Sequence, residues 1–163
     1  MEDQLKSFIG KNPAKKIRIV DLNSGKFIPG IKEGMKPSYL ITPFGEKISK
    51  ANLVGTVVEK FESMEKKFAS ITIDDGSGAI RAKVFEEEIK NLVGVKIGEL
   101  VNIIGKIKNY NGETYVVPEV VRGLADSNIE NMVKAEILKD LLSRKKIVNE
   151  LRNLKDDMSE EEL

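Results

Sequence analysis

The chain has no cysteine and no histidine, and its one glutamine is Gln4. Without cysteine there are no disulfides and no thiolate zinc sites, and without histidine the commonest metal ligand and the commonest general base are gone. Catalysis is therefore not expected, and no cofactor is implied. No apolar run reaches the ~18 residues that a membrane-spanning helix needs, and no charged-then-apolar leader opens the chain. A soluble, intracellular protein without a membrane partner is expected. The lack of cysteine, the single glutamine and a charged fraction of 33% lean toward a heat-adapted source.

With 163 residues, 40% of them hydrophobic, there is enough chain for one domain and something extra. A net charge of +1 hides an uneven distribution. Basic against acidic residues number 8 to 4 over residues 1–45, 12 to 12 over 46–122, and 7 to 10 over 123–163. The first segment holds one short alternating stretch, KKIRIVDL (Lys15–Leu22), followed by Pro29, Gly30, Gly34, Pro37 and Pro43. Such punctuation forbids a long helix and predicts an extended arm (1–45) lying on a neighbouring domain.

From Lys47 the pattern turns to strands at regular spacing: Ile48–Phe61, Phe68–Ile73, Ala79–Phe85, Leu100–Asn109 and Thr114–Arg122. Five short strands with one helix-length gap predict a small barrel over 46–124. The gap, Glu86–Glu99, can hold about two helical turns, and its Glu86–Glu88 run suits the positive end of a helix dipole. After Leu124 the period becomes helical. Ser127-Asn128-Ile129-Glu130 has the S-x-x-E form of a capping box, so a helix over 127–155 is predicted. Ile129, Val133, Ile137, Leu141, Val148 and Leu151 keep mostly three- and four-residue steps, and Leu138 and Leu142 widen the stripe. A helix with so long an apolar face calls for a partner helix. Residues 156–163 are acidic and poor in apolar side chains, and are expected to fray.

Strand side chains alternate between faces, so choosing the core face leaves the other to be read. Ala69, Ile71 and Ile73, Ile80, Ala82 and Val84, and Val101, Ile103 and Ile107 are the expected core. The opposite side then carries Arg81, Lys83 and Phe85 on the third strand, and Lys106, Lys108 and Tyr110 on the fourth, with no acid among them. Phosphates attract lysine and arginine, and unpaired bases stack on aromatic rings. This pattern suits single-stranded nucleic acid. It also suits an ordinary wet sheet face whose two aromatics pack on a loop or on the Glu86–Leu92 helix. In IDDGSGAI the pair Asp74 and Asp75 reads as turn chemistry between two strands, because glycine takes positive φ freely and aspartate accepts from turn amides. Oxygen ligands in calcium-loop spacing are missing, as are a phosphate-cradling G-x-x-x-x-G-K, a G-x-S-x-G elbow and H-E-x-x-H.

ANLVGTVVE (Ala51–Glu59), ITIDDGSGAI (Ile71–Ile80), GELVNIIGKIKNY (Gly98–Tyr110) and the closing helix, in that order, resemble the second subunit of replication protein A, especially its archaeal form. The resemblance runs from about Ile17 to Arg144 and includes IRIVDL and PSYLITPFGEKISKANLVG in the arm. It implies a mainly β fold with some α, a five-stranded Greek-key OB barrel with an N-terminal arm and a long C-terminal helix. It implies a non-catalytic single-stranded-DNA-binding subunit of a heterotrimer, nucleoid-associated in the cytoplasm, acting in replication, repair and recombination. In eukaryotic relatives one aromatic late in the third strand and one just after the fourth stack on bases, which implies that role for Phe85 and Tyr110. The helix, through Ile129, Val133, Ile137, Leu138, Leu141, Leu142, Val148 and Leu151, would join one helix from each of two other subunits. Many members carry a winged-helix domain beyond it, for which these 163 residues leave no room. Two alternatives stay open: a scaffold subunit with little DNA contact, and an RNA-binding OB protein such as an anticodon-binding module.

Overall fold

The computed structural model describes residues 13–161, with side chains through residue 155. The first dozen residues of the expected arm and the last two of the expected tail lie outside this range. Residues 13–127 and the helix after them are separate compact units.

The alternating runs are strands in the places expected, with ends differing by a residue or two. They are β5 (Lys50–Glu62), β6 (Phe68–Asp74), β7 (Ala79–Phe85), β8 (Leu100–Tyr110) and β9 (Glu113–Gly123). Their order is β5-β6-β7-β9-β8, and β5 also pairs with β8, so the sheet closes into a barrel. β5 spans the closure by pairing its first half with β8 and its second half with β6, with a bulge between Val57 and Glu59. A second bulge, at Glu119 of β9 opposite the Ile104–Gly105 step, bends β9 against β8. A Cβ at position 105 would overlap the Val117 carbonyl oxygen, so only glycine fits that bend. The seam between β7 and β9 is parallel, pairing Arg81 with Tyr115 and Ala82 with Val116.

The core face is the one the alternation selects. Ala69, Ile71, Ile73, Ile80, Ala82, Val84, Val101, Ile103 and Ile107 are all buried. The gap between β7 and β8 forms a 3-10 helix, Glu86–Leu92, in place of two α-helical turns. It starts with Glu86 at φ 48°, whose N–H donates to the Lys67 carbonyl at 2.9 Å. Ile89, Leu92 and Val95 from this segment enter the core. Its C-terminal carbonyls are held by Lys60, whose ammonium donates to Leu92, Val93 and Val95 at 2.8 to 3.2 Å.

The N-terminal arm is folded, contrary to the extended course expected. β1 (Lys15–Lys16) runs parallel to β5, and α1 (Ile19–Asn23) follows. β2 (Lys26–Ile28), β3 (Tyr39–Ile41) and β4 (Lys47–Ile48) make a separate three-stranded sheet, which takes Ile48 away from β5. Ile17, Ile19, Leu22 and Leu40 belong to the same buried cluster as the barrel residues. IVDLN is a helix because the donors at its start are satisfied from a distant turn. The Ile19 amide donates to Asp75 Oδ2 at 3.0 Å and the Val20 amide to Ser77 Oγ at 3.1 Å. Buried Asp21 accepts two bonds from the Arg18 guanidinium, at 2.9 and 3.0 Å, and this hydrogen bond raises the pKa of Arg18.

α2 (Asn128–Glu161) runs for 34 residues, about 51 Å, and passes through the acidic stretch expected to fray. No glycine or proline interrupts that stretch. Pairs at i, i+4 line its surface, Glu130 with Lys134 at 2.6 Å and Asp140 with Arg144 at 3.0 Å.

The two adjacent aspartates are both turn residues with unequal duties. Asp74 Oδ1 accepts from the Gly76 amide at 2.7 Å. Asp75 Oδ1 accepts from the Ser77 amide, the Ser77 hydroxyl and the Gly78 amide, while Oδ2 holds α1. Bonds to a carboxylate contribute about 1.5–3 kcal/mol, and stranded donors add to the loss. Asp75→Ala should cost about 2–3 kcal/mol of stability and Asp74→Ala under about 1 kcal/mol. Urea unfolding followed by far-UV circular dichroism measures both, and equal losses would contradict the pinning of α1 by Asp75.

Candidate nucleic-acid interface

On β7 the core takes Ile80, Ala82 and Val84, which turns Arg81, Lys83 and Phe85 outward. On β8 it takes Val101, Ile103 and Ile107, which turns Lys106 and Lys108 outward, with exposed Tyr110 at the end. Closure then sets these rows one strand apart. Tyr115 on β9 pairs with Arg81 on one side and with Lys108 on the other. With strands about 4.8 Å apart, the two basic rows lie roughly 10 Å from each other. The Lys83 ammonium sits 4.4 Å from the centre of the Tyr115 ring, and its side chain is only 17% exposed.

Phe85 and Tyr110 are 46% and 67% exposed, so neither ring is packed away under a loop or helix. They stand at opposite ends of the face, because Tyr110 pairs with Glu113 while β7 runs the other way from Arg81 to Phe85. About six residues of strand, or roughly 20 Å, separate them. They would meet different bases.

The outward positions of β7 and β8 carry no acid, as expected, but β9 brings acids to the face between them. Glu113 reaches Arg81 at 3.5 Å and Lys83 at 3.7 Å, and Glu119 reaches Lys50 at 2.9 Å and Lys106 at 3.9 Å. These carboxylates come from the strand between the basic rows, and neighbours across a seam cannot be read one strand at a time. Lys108 has no ion pair among the described residues.

Three aromatics of this face escaped the reading of the sequence. Phe68 pairs across the sheet with Phe85, and the Phe61 ring lies 5.4 Å from that of Phe68, tilted by 36°. Phe61 and Phe68 are 50% and 36% exposed, so they extend the aromatic end of the face across β5, β6 and β7. The parity that selects Ala69, Ile71 and Ile73 for the core already turns Phe68 outward, and Tyr115 follows from buried Val116 in the same way. Phe61 was hidden by the bulge at Val58, which reverses the alternation of β5.

On α2, Leu138, Leu142, Val148 and Leu151 are exposed, Ile129 and Leu141 are half-buried, and Val133 and Ile137 have little accessible surface. Ile147 and Leu154 add exposed apolar surface toward the far end. Among the described residues no acidic cluster could hold a metal ion, and no helix is long and apolar enough to cross a membrane.

Residues 51–122 match the tRNA anti-codon family model, described as an OB-fold nucleic acid binding domain. No curated protein sequence matches the chain significantly. Solved structures do match. A chain of a replication protein A heterotrimer bound to single-stranded DNA is 14% identical, with a TM-score of 0.65 over 82% of this chain and 98% of that one. A chain of the S. pombe Stn1-Ten1 complex is 17% identical, with a TM-score of 0.69 over 85% of this chain and 98% of that one. A chain of yeast replication protein A bound to single-stranded DNA is 19% identical, with a TM-score of 0.60 over 80% and 90%. The barrel of this chain is an OB fold, and its sequence matches a family of nucleic acid binding domains built on that fold.

Proposed function

We propose that the chain is the small single-stranded-DNA-binding subunit of an archaeal-type replication protein A complex, serving replication, repair and recombination at the nucleoid without catalysis. The observation that carries this reading is the barrel face itself, where exposed Phe85 and Tyr110 bracket Arg81, Lys83, Lys106 and Lys108. Likeness to chains from single-strand-bound replication protein A supports the same substrate, and it extends over four-fifths of the chain or more. Bases stack on the rings at the two ends, and phosphates follow the cations between them. The runner-up is a scaffold subunit with little DNA contact, favoured by the pairing of Glu113 and Glu119 with three of those four cations.

The partners in this reading are two other subunits joined through α2. A helix in a three-helix bundle meets two neighbours, so it needs two apolar seams. Ile137, Leu141, Val148 and Leu151 keep one side of α2, and Leu138 and Leu142 stand about 100° around from Ile137 and Leu141. The exposed members of both seams are the surface that partner helices would cover.

Phe85→Ala and Tyr110→Ala should each weaken binding to oligothymidylate by about 1–3 kcal/mol without changing thermal melting. Fluorescence titration decides it, and unchanged affinity in both variants would leave the scaffold reading standing.

Glu113→Gln separates the two readings from the other direction. It frees Arg81 and Lys83, so the log–log salt slope of binding should steepen by up to about 1.4, or roughly 0.7 for each added phosphate. A scaffold would show neither binding nor a response to this change.

For α2, burial of each exposed leucine in a bundle gives about 1.5–3 kcal/mol, and a carboxylate in its place cannot be desolvated cheaply. The isolated chain should self-associate at tens of micromolar, and Leu151→Asp should abolish both self-association and co-purification of partner subunits while the barrel stays folded. Sedimentation of the two proteins measures the first effect. A monomeric wild type, with a mutant that still co-purifies its partners, would remove α2 from the interface.

A further inference from the structure

The basic face does not stop at β8. Between the hairpin closed by Ile31 and Lys36 and the outer side of β8 lies a groove of about 650 Å³, bordered by Lys32, Lys36, Lys50, Lys106 and Lys108 with Glu119 as its one carboxylate. Glu119 is already engaged by Lys50 and Lys106. Lys32, Lys36 and Lys108 have no ion pair among the described residues. The hairpin is closed by its own backbone. Ile31 and Lys36 exchange backbone hydrogen bonds at 3.1 and 3.2 Å, and the Gly30 amide donates to Ser38 Oγ at 3.2 Å. Beside these lysines, Met35 is 94% exposed and Ile31 58% exposed.

Such a groove offers unpaired cations next to exposed apolar side chains, and it is lined also by Lys106 and Lys108 of the candidate interface. A row of unpaired cations continuous with the barrel face suits the backbone of a polyanion. We infer that the groove binds the sugar-phosphate backbone of the same single strand that crosses the barrel, so that a long strand runs from β8 onto the N-terminal arm. This rests on the nucleic-acid reading of the barrel face and adds a second stretch of contact to it. A short oligonucleotide is held by the barrel face alone, and a longer one reaches Lys32 and Lys36.

The test uses the full chain at low ionic strength, with labelled oligothymidylates of about 8 and about 24 nucleotides, since OB folds occupy about 4–16. The double variant Lys32→Gln, Lys36→Gln should leave the affinity for the short probe unchanged. For the long probe it should lower the salt slope by about 1.4, equivalent to two phosphates, and weaken binding several-fold. Wild-type slope and affinity on the long probe in this variant would overturn the groove while leaving the barrel reading intact. Failure of the wild-type chain to bind either length would sink both. If the variant keeps its oligonucleotide binding but loses binding to a polyglutamate probe, the groove takes an acidic peptide and the inference is wrong.

Discussion

The parallel seam between β7 and β9 is the contact on which the rest of the molecule depends. Left open, the sheet would run β7-β6-β5-β8-β9, with β7 and β9 as its two free edges and the basic rows on strands far apart. Closing it removes both edges and puts Tyr115 between Arg81 and Lys108. Closure requires tight bending, which the bulges at Val58 and Glu119 provide, along with the close approach of Gly105 to Val117. It also requires a narrow interior, and Ala51, Ala69 and Ala82 sit among the isoleucines and valines of the core. The segment that carries the chain from β7 to β8 then covers one end of the barrel, anchored where Lys60 gathers three carbonyls. The candidate face is thus a product of closure, and any substitution that opens the seam separates the cations as well as exposing the core.

What could be read in the sequence was what is local. Alternation with period two located all five barrel strands and sorted Ile80, Ala82 and Val84 from Arg81, Lys83 and Phe85 without any knowledge of neighbours. The period change after Leu124 located α2 and its apolar positions. The failures have one cause. IRIVDL has an alternating pattern, yet Ile19–Asn23 is helical because Asp75 and Ser77, more than fifty residues along the chain, accept from its first amides. The acids missing from the strand-by-strand view of the face arrive from β9 across two seams. Phe61 was lost to a bulge that only the pairing of β5 with β6 reveals. Propensity and periodicity are properties of a segment, and these are properties of pairs of segments.

The pairing of cations with Glu113 and Glu119 bears on how such a face would work. Surface ion pairs are individually weak and screened by salt, so they do little for the barrel's stability. They matter more for binding, because each lysine or arginine must release its carboxylate before it can hold a phosphate. A face of this kind gives a shallow grip from one chain. In a complex whose other subunits also touch the strand, a shallow grip is sufficient, since tethering converts each further contact into an intramolecular one. Base stacking at Phe85 and Tyr110 needs no such release and would carry a larger share of the affinity than the charges do.

The distribution of charge along the chain shows where the remaining attraction must originate. Residues 46–122 are neutral, with 12 basic and 12 acidic side chains, so the barrel's cations act through their placement on one face and not through an excess of charge. The excess of positive charge lies in the arm, at 8 to 4 over residues 1–45 and 6 to 2 over its described part, residues 13–45. In an extended, unattached arm those charges would act only as a diffuse attraction. Here β1 is laid along β5, α1 is pinned by Asp75, and Leu40 is sunk in the common core. The hairpin that bears Lys32 and Lys36 springs from β2 and β3 of this arm and lines one groove with Lys106 and Lys108. A turn aspartate on the β6–β7 hairpin holds α1, and the arm that continues from α1 brings Lys32 and Lys36 to the edge of an otherwise neutral barrel.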